Sequence, residues 1–273
     1  MKNTLLLAVG FMAGLALVAG GAYGSTLGLN ITIPDEGYSA PSGWYGQQED
    51  QEVEPQTIKG QIWDLEATVL DTTNGDLSLV GGYDFVNGIP NRRVMSGDLF
   101  IDVTGDAQYG SGANAPANYN PYQIVSDTFG YDFVVDLDFS TLTYTVYDIR
   151  GAGQNLELIC DSEQLNDAAN PWRYQSGGEA IAGGIIGYVT GLSDSATQIN
   201  GYGLTGGLHN VATVNLGWVI PYFDPSTGLT THFTMECGND NLMGHFASVP
   251  EPATLSLLGL GLLGAVLRRK FWA

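Results

Sequence analysis

The clearest metal-binding pattern in this chain is a set of oxygen-bearing side chains at the end of an expected strand. Asp102, Thr104 and Asp106 occupy alternate positions, as the oxygen ligands of calcium loops do. The acid expected at the twelfth position of such a loop is replaced by Ala113. We therefore predict a weak calcium site, and the alternative is a solvated acidic rim. The predicted ligands are Asp98, Asp102, Thr104 and Asp106.

Catalytic motifs are missing from the sequence. It contains no Gly-x-Ser-x-Gly, no His-Glu-x-x-His and no phosphate-binding loop. A zinc site at His232 and Cys237 is disfavoured, because residues five apart in a regular strand point to opposite faces. We therefore interpret His209, His232 and His245 as surface or turn residues. Carboxylate pairs occur by chance among 29 acidic residues, so they do not indicate a glycosidase.

The charge of the chain is strongly acidic. Its net charge is −20, and four of its nine Lys and Arg residues lie in the two ends. Nucleic acid and anionic membrane surfaces would be repelled by such a body. The charge therefore excludes nucleic acid as a partner and suits an extracellular medium.

The residues between the two ends are predicted to form strands and turns. Apolar and polar residues alternate at 63–69, 99–103 and 131–147, which indicates strands with one buried face. Further strands are predicted at 181–189, 211–220 and 230–237, and one helical turn at 164–169. Asn74-Gly75-Asp76 is a hairpin signal. Short strands with frequent turns predict an all-β fold, an antiparallel β-sandwich of jelly-roll type.

The N-terminus predicts export. Lys2 is followed by an apolar run at 5–18 and small residues up to Ser25, the pattern of a secretory signal peptide. We assign 1–24 to the signal helix, 25–56 to an acidic irregular lead-in and 57–247 to the β-sandwich domain. An uncleaved N-terminal anchor is the alternative for the first segment.

The two cysteines are predicted to form a disulfide, because disulfides persist in exported proteins. Alternation places Leu156, Leu158 and Cys160 on one face of a strand. It likewise places Cys237 on one face with Phe233 and Met235. Both thiols should therefore point into the core. The alternation of side chains along each strand does not show that the two thiols meet, so two buried free thiols are the alternative.

The C-terminal segment 248–273 has three ordered parts. Two prolines flank one acid, an uncharged Gly- and Leu-rich run follows at 253–267, and basic residues complete the pattern. The run is short for a span of roughly 20 residues but could form a transmembrane helix in a thinned bilayer. The residues that carry this pattern are Val249, Pro250, Glu251, Pro252, Arg268 and Arg269.

This tail resembles the PEP-CTERM sorting signal of Gram-negative bacteria. The resemblance implies that an exosortase is a partner, that the tail anchors the protein transiently in the inner membrane, and that processing releases the body to the cell surface or matrix. The body is also similar, over short stretches, to uncharacterised β-rich proteins with this tail. Family names for the tail mention an ice-binding protein C-terminal domain, which is no sign that this body binds ice.

The function predicted from the sequence is a non-catalytic structural or binding protein of the envelope or exopolysaccharide matrix. One alternative is an extracellular carbohydrate-active enzyme that uses a carboxylate pair. The other is an adhesin or ice-binding surface protein, for which Thr141, Thr143 and Thr145 form a single threonine ridge.

Overall fold

The protein is an all-β structure built from antiparallel sheets. The computed structural model describes residues 27–33, 58–92, 94–108, 123–160 and 169–247. The strands are β1 Leu29–Asn30, β2 Leu65–Asp71, β3 Asp76–Gly81, β4 Leu99–Asp102, β5 Gln123–Val125, β6 Phe133–Asp138, β7 Thr143–Asp148, β8 Glu157–Cys160, β9 Arg173–Ser176, β10 Glu179–Ile185, β11 Gly187–Ser193, β12 Leu208–Asn215, β13 Leu229–Thr234 and β14 Asn241–Phe246. Short 3-10 helices lie at Gln61–Trp63, Gly153–Asn155 and Gly217–Tyr222.

Two large sheets form the predicted sandwich. The five-stranded sheet has the order β1-β2-β3-β12-β11, and the six-stranded sheet has the order β10-β7-β6-β4-β13-β14. Their inner faces share one apolar core, because period-two alternation sends Leu77 and Leu79 from one sheet toward Phe133 and Val135 from the other. The β-sandwich prediction is confirmed.

A third sheet makes the architecture more than a two-sheet jelly roll. Strands β5, β8 and β9 pair in the order β5-β8-β9 and pack on the outer face of the six-stranded sheet. A second apolar cluster fills this layer, with Phe100 and Val134 meeting Leu156 and Leu158. Because the six-stranded sheet is covered on both sides, its central strand β4 is buried at every position.

The outer face of the five-stranded sheet is covered as well. The turn region 194–207 packs Ile199 and Leu204 onto Ala67, Val69 and Val211. The prediction that strand 63–69 has one solvated face is therefore wrong, since β2 is buried on both faces from Leu65 to Leu70.

The predicted strands are found with adjustments, and the strand expected at 211–220 ends at Asn215, after which Gly217–Tyr222 form a 3-10 helix. The hairpin at Gly75 is confirmed. The pairing of β2 with β3 begins at Asp71 and Asp76, and Gly75 lies in the turn between them with φ 74°. The single strand expected at 181–189 is two strands, β10 and β11, which belong to different sheets and are joined by Ile186. Strands β1, β5, β9 and β14 were not predicted.

The predicted terminal segments 1–24 and 248–273 lie outside the described residues, as do most of the lead-in and of the helical turn expected at 164–169. Among the helices that are described, none has the length and apolar character of a membrane span.

Candidate functional site

The predicted calcium ligands do not gather at one place. Asp98 precedes β4, whereas Asp102 ends it and Thr104 and Asp106 follow, so Asp98 lies at the other end of the strand. Its inclusion in the site is wrong. The residue that joins the loop instead is Asp132, whose Oδ2 accepts hydrogen bonds from the amides of Val103 (2.8 Å) and Thr104 (3.1 Å).

The oxygens at this loop are already engaged in hydrogen bonds. Asp102 accepts from the amides of Thr104 and Gly105 at 2.8 Å and of Ala107 at 3.1 Å. The hydroxyl of Thr104 lies 2.7 Å from Oδ1 of Asp106. Over the described ranges, no group of three or more His, Cys, Asp or Glu side chains is arranged to hold a metal ion. Calcium binding stays a prediction that this geometry does not support.

Asp98 connects three strands. It is fully buried, and its carboxylate accepts the amides of Leu137 and Tyr174, each at 2.8 Å. Nε of Arg173 lies 3.6 Å from Oδ2 of Asp98. Burial raises the pKa of Asp98 to about 7, although Arg173 opposes the shift. A buried carboxylate that holds β4, β6 and β9 together is a structural group.

Arg173 lines a cleft at one end of the sandwich. Nη2 of Arg173 lies 4.0 Å from Oδ1 of Asp136, a half-buried residue whose pKa burial raises. The cleft has a volume of about 430 Å³. Besides Arg173 it is lined by Phe85, Val86, Asn87, Gly88, Val94, Met95, Ser96, Leu137, Asp138, Phe139 and Ser140. An apolar floor with an arginine, an amide and hydroxyls at its rim suits a small polar ligand with an apolar face.

His232 is buried between the six-stranded and three-stranded sheets. It does point away from the main core, as alternation predicts, but the second layer covers it and its exposure is zero. The expectation of a surface histidine is therefore wrong. Its Nδ1 lies 3.0 Å from the hydroxyl of Tyr131, and the ring of Phe100 packs nearby. Burial lowers the pKa of His232 to about 3, which keeps the imidazole neutral.

His209 is also buried, on the outer face of the five-stranded sheet. Nδ1 lies 2.6 Å from Oε2 of Glu66, and Nε2 lies 3.0 Å from Oδ1 of Asp194. Burial alone would lower the pKa of His209, but the hydrogen bonds and charges of the two carboxylates outweigh burial and raise it. With both ring nitrogens donating, this histidine has no lone pair for base catalysis. The expectation of a surface residue is wrong here too.

The cysteines do not meet. Cys160 belongs to the cluster under the three-stranded sheet, and Cys237 belongs to the main core. No disulfide joins these two described residues, which contradicts the predicted bridge. Alternation along each strand correctly predicted that both cysteines point inward, but the two strands face different layers of the protein.

Sequence reasoning missed the carboxylate partners of His209 and the cleft at Arg173. Glu66 and His209 are 143 positions apart, and Arg173 and Asp98 are 75 positions apart, so no local pattern connects them.

Comparison with known proteins concerns the tail. The chain matches no curated protein and no solved structure. The family described as PEP-CTERM protein-sorting motif matches residues 248–270, which contain all six predicted sorting residues. This agreement confirms the tail assignment made from the prolines, the apolar run and the arginines. The chain thus ends in a PEP-CTERM sorting motif, the mark of an exported protein that an exosortase sorts.

Proposed function

We propose that this protein is a non-catalytic binding or structural component of the bacterial envelope or exopolysaccharide matrix. The observation that carries the proposal is the sorting motif at 248–270, which implies export and sorting toward the cell surface. The acidic body supports it, because high net charge keeps a protein soluble outside the cell.

The environments of the titratable groups also support a non-catalytic role. Asp98 and Asp132 accept backbone amides, His209 is held between two carboxylates, and His232 is enclosed by aromatic rings. A general acid or base must reach a substrate, and catalytic hydrogen bonds leave one site open for it. The fold engages the carboxylates of Asp98 and Asp132 and both ring nitrogens of His209. His232, whose Nε2 has no hydrogen-bond partner within the described residues, is fully buried and cannot reach a substrate.

The cleft at Arg173 is the ligand site that we assign to this function. Exopolysaccharides present hydroxyl groups and apolar ring faces, and the lining of the cleft combines Arg173, Asn87 and Ser140 with the exposed apolar side chain of Val86. Asp136 and Asp138 at this end of the sandwich would repel an anionic sugar. We therefore expect a neutral polysaccharide.

Processing of the tail is the first test. Protein recovered from the cell surface should give no peptide beyond about Pro252 in mass spectrometry. Recovery of a peptide containing Arg268 and Arg269 from that fraction would instead identify a permanent tail anchor.

Ligand binding is the second test. The exported protein is incubated with the neutral exopolysaccharide of the producing cells, and co-sedimentation is measured. Val86→Asp at the mouth of the cleft should reduce binding at least tenfold, whereas Ile62→Asp, at an exposed isoleucine outside the cleft, should leave it unchanged. Equal binding by both variants, or none by the wild type, would remove the cleft from the proposal.

A carbohydrate-active enzyme is the second candidate, because Asp98 and Asp136 flank Arg173 and both have raised pKa values. Hydrolysis of the same polysaccharide by the wild type, with loss of hydrolysis in Asp136→Asn, would favour the enzyme. We expect no hydrolysis, because Asp98 is fully buried and cannot reach a substrate.

A further inference from the structure

The two sides of the sandwich, where the edges of its two large sheets lie, differ in how those edges are paired. On one side the residues after β1 connect the sheets: the amide of Ile33 donates to Met243 (2.9 Å) and the amide of His245 donates to Ile31 (2.7 Å). Ile31 also donates to Thr68 of β2. Strand β14 and the five-stranded sheet are therefore joined by backbone hydrogen bonds, so that this side is closed.

The opposite side is formed by β10 and β11. Strand β10 is the outermost strand of the six-stranded sheet, and β11 is the outermost strand of the five-stranded sheet. Each is seven residues long, and within the described part of the chain each pairs on one side only. Such strands present unpaired amides and carbonyls that can pair with another strand.

The usual protective features of edge strands are weak here. From Ala180 to Ser193 the chain carries no charge and no proline. Ile185 is 78% exposed and Val189 is 47% exposed. Register irregularities lie between Ala180 and Ala182 and between Val189 and Leu192, so the stretch from Ala182 to Val189 is regular apart from the connecting Ile186. Natural edges normally use charges, prolines or bulges to prevent pairing.

We propose that the edges β10 and β11 bind the same two edges of a second copy of this chain. This goes beyond the proposed function, since it concerns assembly and does not depend on the cleft. The two edges are joined by the single residue Ile186, so they lie next to each other in two stacked sheets. A partner that satisfies both must itself offer two stacked edges, which a second copy does and a single extended peptide does not.

Charge favours the same partner and the same site. Two copies that each carry a net charge of −20 repel one another, so they approach most easily where the surface is neutral. A two-fold axis perpendicular to the sheets pairs β10 with β10 and β11 with β11, both antiparallel. Such a contact is isologous and closes after two copies.

The test uses the exported protein and measures its mass by light scattering over a hundredfold concentration range. The wild type should reach twice the monomer mass. The variant Ile185→Lys with Val189→Lys should remain a monomer, because lysines on an edge block strand pairing. Both positions are exposed, so the variant should keep the melting temperature that the wild type has at concentrations low enough for it to be a monomer.

The matched control is Ile62→Lys with Ile124→Lys, which makes the same charge change at residues 46% and 51% exposed away from these edges. It should dimerise like the wild type. In the wild type, amide exchange in β10 and β11 should also slow as concentration rises. A monomeric wild type, a dimeric edge variant or assemblies larger than two copies would each overturn the proposal.

Discussion

His209 and His232 are two histidines with no exposed surface, each on the outer face of a different sheet. Around His209 the neighbours are the carboxylates of Glu66 and Asp194, and its pKa is raised. Around His232 they are the hydroxyl of Tyr131 and the ring of Phe100, and its pKa falls to about 3. Neither imidazole is exposed, but His209 lies beside the half-exposed Asp194 and is desolvated less than His232, so weaker desolvation and two carboxylate partners together keep its pKa raised.

The difference also shows what each layer tolerates. The layer under the three-stranded sheet is lined by aromatic and aliphatic side chains, where an unpaired charge would be costly. Under the turn region 194–207, a buried carboxylate and a half-exposed one make a charged imidazole acceptable. Four predictions follow the comparison, from the largest expected effect to the smallest.

Replacement of Glu66 should have the largest effect. Glu66→Ala leaves a buried imidazolium with one carboxylate, and breaking a buried pair by removing one partner costs about 3 to 5 kcal/mol. Urea denaturation at pH 7 measures the loss in free energy of unfolding. Glu66→Gln, which keeps an acceptor oxygen, should lose less. A loss below about 1 kcal/mol for Glu66→Ala would mean that His209 is not charged.

Lowering the pH should destabilise the folded protein through His232. Between pH 6.5 and about 3 the unfolded chain binds a proton at this residue and the folded protein does not, so stability falls as the pH falls through this window. His232→Phe removes that dependence. Relative to the wild type, the variant should gain about 1.4 kcal/mol per pH unit below pH 6.

The difference in free energy of unfolding between wild type and His232→Phe also separates the pH effect of His232 from that of Asp98. The raised pKa of Asp98, about 7, makes its contribution largest at low pH and removes it as the pH rises from about 4 to 7. This dependence has the opposite sign and is the same in both proteins, so it cancels in the difference. Parallel pH profiles for the two proteins would show that His232 is protonated in the folded state.

Replacement of Asp194 should have a smaller effect, because this carboxylate is half exposed and solvent screens it. Asp194→Asn should lower the pKa of His209, as read from the imidazole signals in an NMR titration. Asp224→Asn is the matched control, because Asp224 is an exposed turn aspartate bonded to Ser226, whereas the ring nitrogens of His209 bond Glu66 and Asp194. An unchanged His209 titration in Asp194→Asn would contradict the assignment.

Reduction should have almost no effect on stability, because Cys160 lies in the layer under the three-stranded sheet, with His232, whereas Cys237 lies in the main core. Denatured, unreduced protein should accept a thiol reagent at both Cys160 and Cys237. Absence of labelling would show a bridge and would require the two layers to be connected differently.

The sequence by itself determined the sorting tail, the antiparallel sandwich and the side of each strand on which its residues fall. The tail is a contiguous pattern, and alternation is a local consequence of strand geometry. For this reason Phe133 and Val135 were assigned correctly to one face, and Cys160 and Cys237 each to the inward side of their strands.

Only the tertiary structure decided what lies against each face. A third sheet, which carries Cys160 on its inner face, covers His232, and the region 194–207 covers His209 and β2. The sequence analysis assumed that the outer face of each sheet is exposed to solvent. This assumption is valid only for a sandwich of two layers. Which partners stand opposite a side chain depends on contacts such as Glu66 with His209, 143 positions apart, and no local pattern encodes contacts across that distance.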